Sequence, residues 1–368
     1  MDLSLSPAQT RVRDLARDYA ERVLAPRAAD TERAERVDPV VLREMASLGL
    51  MGVNLPASLG GAEAGAVAYA LAMREVARGC ASTAVTMAVT NMVGEVIRHF
   101  GTDAQRDTYV ARLARGEYKA GAFALSEPEA GSDPGSMRTT ATRDGDGWVI
   151  RGAKQWITSG DIAGVFVVWA RTGGTGTSGI SCFLVEGGAP GLRVGRHEDK
   201  MGLRGSTTVP LEFDDVRVGA DAMLGAEGGG FRIAMMALDG GRIGIGAQAT
   251  GIATAALELA ASKAPRTAAA DALVADARAD VDAAWLLVQR AAWLKEAQRP
   301  FSAEAATAKV FASEAGWRVT NRAIEALGPG GDVDALAAQR HLRDVRVTMI
   351  YEGTSEVQRI VIARSLLK

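Results

Sequence analysis

The chain has 368 residues, 48 % of them apolar and 23 % charged, with a formal net charge of −2. That length is enough for two or three cores, and the composition excludes a disordered chain. The near-neutral charge, with basic residues interleaved among acidic ones as in Arg11-Val12-Arg13-Asp14, gives no footprint for nucleic acid.

From the N-terminus, Met1 to Pro7 carries neither a basic stretch nor an apolar one, so no leader segment is expected. Residues 8–118 read as helices, with apolar positions three and four apart, as in Val12, Leu15, Ala16, Tyr19 and Val23. Breakers fall at Pro26, at Pro39 and in the loop from Pro56 to Gly61. The longest apolar run, residues 80–97, is interrupted by Asn91 and Glu95, so no membrane span is expected. From residue 119 short β-rich runs (148–151, 165–170, 180–185 and 209–213) alternate with glycine clusters, as in a small β domain. After Gly228-Gly229-Gly230 the chain turns helical to its end. The expected domains are therefore 1–118 (helical), 119–228 (β) and 229–368 (a helical bundle). Cys80 and Cys182 are too far apart for a redox pair, which suits a reducing cytoplasm. His99, His197 and His341 stand apart from each other and from the cysteines, so no metal site is expected.

One run inside the β region, Gly174-Thr175-Gly176-Thr177-Ser178-Gly179, has the glycine spacing of a dinucleotide fingerprint. That fingerprint needs a helix after its last glycine, so that the helix N-terminus meets a pyrophosphate. Here another strand follows, and the run reads as a hairpin loop.

Three patches carry chemistry. The first is Phe123-Ala124-Leu125-Ser126-Glu127-Pro128 with Ala130-Gly131-Ser132-Asp133, and the second is Lys154-Gln155-Trp156-Ile157-Thr158-Ser159-Gly160. Exposed amides, hydroxyls and a flat indole suit a large planar cofactor with polar edges. The third, Ile350-Tyr351-Glu352-Gly353-Thr354, places a lone carboxylate after the apolar Val347, Met349 and Ile350.

In this order and at these separations the patches resemble the acyl-CoA dehydrogenase family of flavoenzymes. The resemblance runs over nearly the whole chain. It implies a mainly α fold with a central β domain: an N-terminal helical domain, a small β-barrel or sandwich, and a C-terminal four-helix bundle. It implies FAD as cofactor, with Phe123, Leu125 and Ser126 at the flavin's pyrimidine edge. Gly131 and Ser132 would meet the pyrophosphate and the substrate. Trp156 would pack on the isoalloxazine, Thr158 would bond its central nitrogen, and Thr354 and Glu356 would also contact cofactor. Glu352 becomes the base that removes the α-proton of an acyl thioester, a task that burial assists by raising carboxylate basicity. Asp239, Arg242 and Gly353 would line the substrate, the first two from the glycine-rich run Leu238-Asp239-Gly240-Gly241-Arg242. Lys200 to Thr208 matches the family without an assigned role.

Two stretches depart from the family. Its Arg-x-x-Phe-Gly stretch is missing between Leu257 and Val274, where Ala268 stands about where a glutamine belongs. Its Gln-x-x-Gly-Gly-x-Gly-Tyr becomes Glu325-Ala326-Leu327-Gly328-Pro329-Gly330-Gly331-Asp332. In the family both reach across a dimer interface to the neighbour's adenosine end of FAD, so a homodimer or homotetramer is implied but with an altered hold on that end.

The leading expectation is an FAD-dependent dehydrogenase of a short polar acyl group, of hydroxymalonyl type, on an acyl carrier protein in polyketide extender-unit formation. It would pass electrons to an electron-transfer flavoprotein or to oxygen. The alternatives are a catabolic short-chain acyl-CoA dehydrogenase, a flavin oxidase or monooxygenase, and a non-catalytic relative without FAD. Glu352 argues against a monooxygenase, which needs no α-proton base.

Overall fold

The structure is a computed structural model that describes residues 3–330 and 332–367, so Met1, Asp2 and Gly331 of the stretches above lie outside the described residues. The first helices are α1 (Pro7–Tyr19), α2 (Ala25–Arg33), α3 (Pro39–Ser47), α4 (Gly65–Gly79), α5 (Ala81–Phe100) and the short α6 (Asp103–Gln105) and α7 (Ala111–Ala114). Ser6 caps α1, its hydroxyl accepting from the Gln9 backbone amide while its own backbone N–H donates to the Gln9 side-chain oxygen, and Pro7 occupies the first turn, where its missing N–H costs nothing. Pro26 does not break the chain as its position suggested. A π turn, Ala20–Leu24, joins α1 to α2, and Pro26 falls in the first turn of α2, where the widened ladder has no use for its amide.

The strands are β1 (Ala120–Ala124), β2 (Thr140–Asp144), β3 (Gly147–Thr158), β4 (Ala163–Arg171), β5 (Ile180–Glu186), β6 (Leu192–Val194) and β7 (Thr208–Val218). They form one mixed sheet in the order β1-β4-β2-β3-β7-β6, with β5 paired to β4 off that path. The period of two decides which face meets which core. Val165, Val167 and Trp169 of β4 face the helices, whereas Phe166, Val168 and Ala170 close on Trp148, Ile150, Phe183 and Phe213 inside the β domain. The run 174–179 is a hairpin loop: β4 and β5 are antiparallel, with Arg171 opposite Ile180.

The last helices are α8 (Gly230–Lys263), α9 (Ala268–Glu296), α10 (Ser302–Leu327), α11 (Asp332–Arg346) and α12 (Ser355–Leu366). The Trp169 indole donates to the Gly230 carbonyl at 2.7 Å and so fixes the start of α8 on the sheet. Among the described residues α8, not 80–97, is by length and composition the helix apolar enough to cross a bilayer, but 78 % of its apolar window is buried within the protein. Its glycines explain the packing. A Cβ at Gly251 would lie 2.3 Å from the Arg74 carbonyl oxygen of α4, and one at Gly244 2.6 Å from the Tyr69 hydroxyl. Glycine here lets α8 run against α4 at backbone distance.

Candidate active site

The residues singled out by sequence gather into two clusters. The first lies at the rim of the β domain. Phe123 on β1 stacks on Trp169 with ring centroids 4.3 Å apart. Leu125 is buried and Ser126 half-buried. The Gln155 amide donates to the Ser126 carbonyl at 2.9 Å, so the two flavin-type segments lie side by side. Sequence reasoning missed what locks them. Lys154, with no exposed surface, donates to the Leu125 carbonyl at 3.1 Å and to the Glu127 carboxylate at 2.8 Å. Glu127 also accepts from the amides of Arg138 at 2.6 Å and Thr139 at 3.0 Å. Burial pushes Glu127 up, but Lys154 and those amides pull harder and hold it below the usual carboxylate range. An interior lysine in a strand was the available signal.

Trp156 follows this buried anchor with φ of 62° and is 60 % exposed, a large flat surface held out from the sheet by a left-handed backbone. The next residues along β3, Ile157 and Thr158, are buried and half-buried. Gly131 and Ser132 are exposed, and a Cβ at Gly131 would meet nothing within 4 Å.

The second cluster lies among the C-terminal helices. Glu352 sits at φ of 55° and Gly353 at 85°, a sharp corner between the turn Val347–Met349 and α12. Thr354 caps α12 by accepting from the Val357 amide, and the exposed Glu356 lies in its first turn. The corner turns the Glu352 carboxyl onto α8: a Cβ at Gly241 would lie 2.6 Å from Oε2 and 2.9 Å from Oε1. Oε2 is buried without a hydrogen-bond partner. Burial pushes this carboxyl up to about 7, and the cations Arg242 and Lys309 keep it from rising further. Ile350 is exposed, and the carboxyl is shielded by α8 at Gly241.

Arg242 is buried, pairs with Asp239, and keeps Nε free of a partner. Asp239 also accepts from Ser302. The neighbouring Gly240 faces a second, half-buried pair, in which Lys295 donates to Glu95 at 2.8 Å and Asn54 donates to Glu95 at 2.7 Å. Burial raises Glu95, yet Lys295 and Asn54 outweigh it and keep the group ionised. Tyr351 donates to Gln248, and burial together with Glu352 lifts its phenol well above the ordinary value. A carboxylate with an unused lone pair, poised to ionise near neutrality and flanked by cations that it does not pair with, is equipped to take a proton.

Of the family stretches that are altered, the first coincides with the short connection Ala264 to Thr267 between α8 and α9, where Thr267 caps α9 and Arg266 reaches Asp271 at 3.7 Å.

Three family models match: the acyl-CoA dehydrogenase N-terminal domain over residues 6–117, the middle domain over 122–216 and the C-terminal domain over 228–367. The mitochondrial short-chain specific acyl-CoA dehydrogenase of Bos taurus is 45 % identical over 379 aligned residues, covering 100 % of this chain and 92 % of the relative. Butyryl-CoA dehydrogenase from Megasphaera elsdenii superposes with a TM-score of 0.96 at 38 % identity, covering 100 % of both chains. The prolyl acyl carrier protein oxidase AnaB superposes at 0.91 with 28 % identity, covering 99 % of this chain and 100 % of that one. The chain belongs to the acyl-CoA dehydrogenase family, and is an FAD-dependent dehydrogenase by that membership.

Proposed function

We propose that the protein oxidises a short-chain acyl-CoA thioester, with Glu352 as the base for the α-proton. The observation that carries this is the Glu352 carboxyl itself, buried against Gly241 with Oε2 unpartnered and its proton affinity raised to about 7. A thioester α-hydrogen is weakly acidic, so a desolvated carboxylate aimed at it is the group the reaction requires.

The rim of the β domain fits a flavin. Trp156 offers a flat exposed face, Ser126 and Thr158 offer hydroxyls beside it, and Gly131 leaves open space for close approach. FAD, when bound, supplies the capacity to accept the β-hydrogen with its electron pair. The chain's part is to bind and orient it through Phe123, Leu125, Ser126, Gly131, Ser132, Trp156, Thr158, Thr354 and Glu356. The buried Lys154–Glu127 pair keeps the two segments in register. Asp239, Arg242, Gly353 and Ser132 are assigned to the thioester. Glu352 holds the abstracted proton at its carboxylate.

The substrate assignment differs from the leading sequence expectation. Relatives named for short-chain acyl-CoA and butyryl-CoA are 45 % and 38 % identical, whereas the one named for an acyl carrier protein is 28 % identical. The catabolic reading is therefore better supported than the polyketide one. Purified protein should be yellow, and butyryl-CoA should reduce the flavin in a single turnover faster than hydroxymalonyl-acyl carrier protein. The reverse ranking would restore the carrier-protein reading. Adding an electron-transfer flavoprotein or oxygen to the reduced protein identifies the acceptor, for which we propose the flavoprotein.

A further inference from the structure

Lysine is among the residues least often buried, because its ammonium loses hydration without compensation. Lys309 on α10 nevertheless has no exposed surface. It stands in a stripe with Ala305, Ala308 and Ala312, all fully buried, at the spacing of a helix face turned to the core. Its Nζ donates to the Gly353 carbonyl at 2.7 Å. From the far side the buried Gln358 of α12 donates Nε2 to the same carbonyl at 2.9 Å and to the Glu352 carbonyl at 3.0 Å. Two donors from two helices thus clamp the two peptides that carry the left-handed corner at Glu352 and Gly353. A non-glycine residue keeps such a backbone only where its surroundings over-determine it.

We infer that Lys309 is a positioning residue for the proton-abstracting step: it fixes the Glu352–Gly353 corner through the Gly353 carbonyl, and its charge favours the ionised base. This rests on the reading of Glu352 as that base. The charge is close enough to act and yet is not spent in a pair, since among the described residues Lys309 forms no salt bridge with Glu352. Burial draws Lys309 down to about 8, and Glu352, Glu356 and Glu314 oppose that while Arg242 adds to it. The titratable groups around Glu352 are Arg242 from α8, Lys309 from α10 and the phenols of Tyr69 from α4 and of the adjoining Tyr351; of the two cations, Arg242 is already shared with Asp239. Lys309, at about 8, holds its proton across the acid limb and supplies the cation that no carboxylate shares.

The test uses the flavin-loaded protein and the variants Lys309→Met, Lys309→Arg and Glu352→Gln. Flavin content and melting temperature come first, then single-turnover flavin reduction by butyryl-CoA as a function of pH. Without the cation Glu352 binds its proton more tightly. The acid limb of the reduction rate should move up by about one pH unit in Lys309→Met, the low end of the effect of a nearby opposite charge. Lys309→Arg should return the limb to its wild-type position. The carboxylic C=O infrared band that Glu352→Gln removes should titrate at higher pH in Lys309→Met as well. Should the methionine variant fail to fold, Lys309→Gln, which keeps a donor and loses the charge, carries the same comparison. An unmoved limb in the neutral variants, or a limb in Lys309→Arg displaced as far as in Lys309→Met, overturns the inference. Reduction of Glu352→Gln at the wild-type rate instead overturns the assignment of the base, whatever Lys309 does.

Discussion

Replacing Gly241 by alanine should separate stability from catalysis in a single methyl group. The new Cβ would lie 2.6 Å from Glu352 Oε2, 2.8 Å from Cδ and 2.9 Å from Oε1. Carbon and oxygen need more than 3 Å, so the carboxyl must give way, and it can, because it is the far end of a flexible side chain. Inside α8 an alanine is favoured over glycine by about 1 kcal/mol, so the fold should not suffer and can gain. The base, however, is displaced by up to about 1 Å, and an error of that size in a reacting group costs about 100-fold in rate. Gly251→Ala in the same helix is the control. There the Cβ meets the Arg74 carbonyl oxygen at 2.3 Å, and backbone cannot yield cheaply. That variant should lose stability by about 1–3 kcal/mol. Thermal melts and anaerobic stopped-flow reduction of the flavin measure both quantities. A Gly241→Ala protein that reduces flavin at the wild-type rate would refute the placement of Glu352 against α8.

Other outcomes follow from the same geometry. Folded Glu352 keeps its proton to about 7 while the unfolded chain releases it near 4.5, so folding takes up a proton between these values and stability falls as pH rises through them. Glu352→Gln lacks that loss and should gain about 3 kcal/mol relative to wild type between pH 5 and pH 8 in denaturant titrations; a constant difference would count against the raised proton affinity. Lys154→Met leaves Glu127 buried without its cation and should cost about 3–5 kcal/mol with loss of flavin, whereas near-normal stability and flavin content would show that the pair does not hold the rim. With Arg-x-x-Phe-Gly absent from the α8–α9 connection, FAD should bind at least about tenfold more weakly than in relatives that keep that stretch, the equivalent of one charge-assisted bond. Equal affinities by fluorescence titration would mean that the adenosine end has found other partners.

Much of this could be read from sequence because the informative residues are local. Tyr351-Glu352-Gly353-Thr354 and Gln155-Trp156-Ile157 are legible as short runs that resemble the family, whereas the left-handed corner at Glu352, the cap at Thr354 and the exposure of the Trp156 ring come from the structure. The hairpin at 174–179 followed from what came after it. What stayed hidden depends on packing between distant segments. Lys309 lies 43 positions before Glu352, and only the approach of α10 to α12 brings its ammonium to Gly353. Lys154 stands out as a lysine inside a strand, but its pairing with Glu127 appears only when β3 runs beside the chain leaving β1. Pro26 misled for the opposite reason. Proline usually ends a helix, but a π turn just before it removed the conflict.

The most direct measurement is anaerobic mixing of the purified protein with butyryl-CoA while the visible flavin band is followed. Wild type should bleach in one turnover. Glu352→Gln should bind flavin normally, because an amide keeps the shape of the carboxyl, and should bleach about 100- to 10,000-fold more slowly, the range for losing a general base. A colourless wild-type protein, or a glutamine variant that bleaches as fast as wild type, would contradict it.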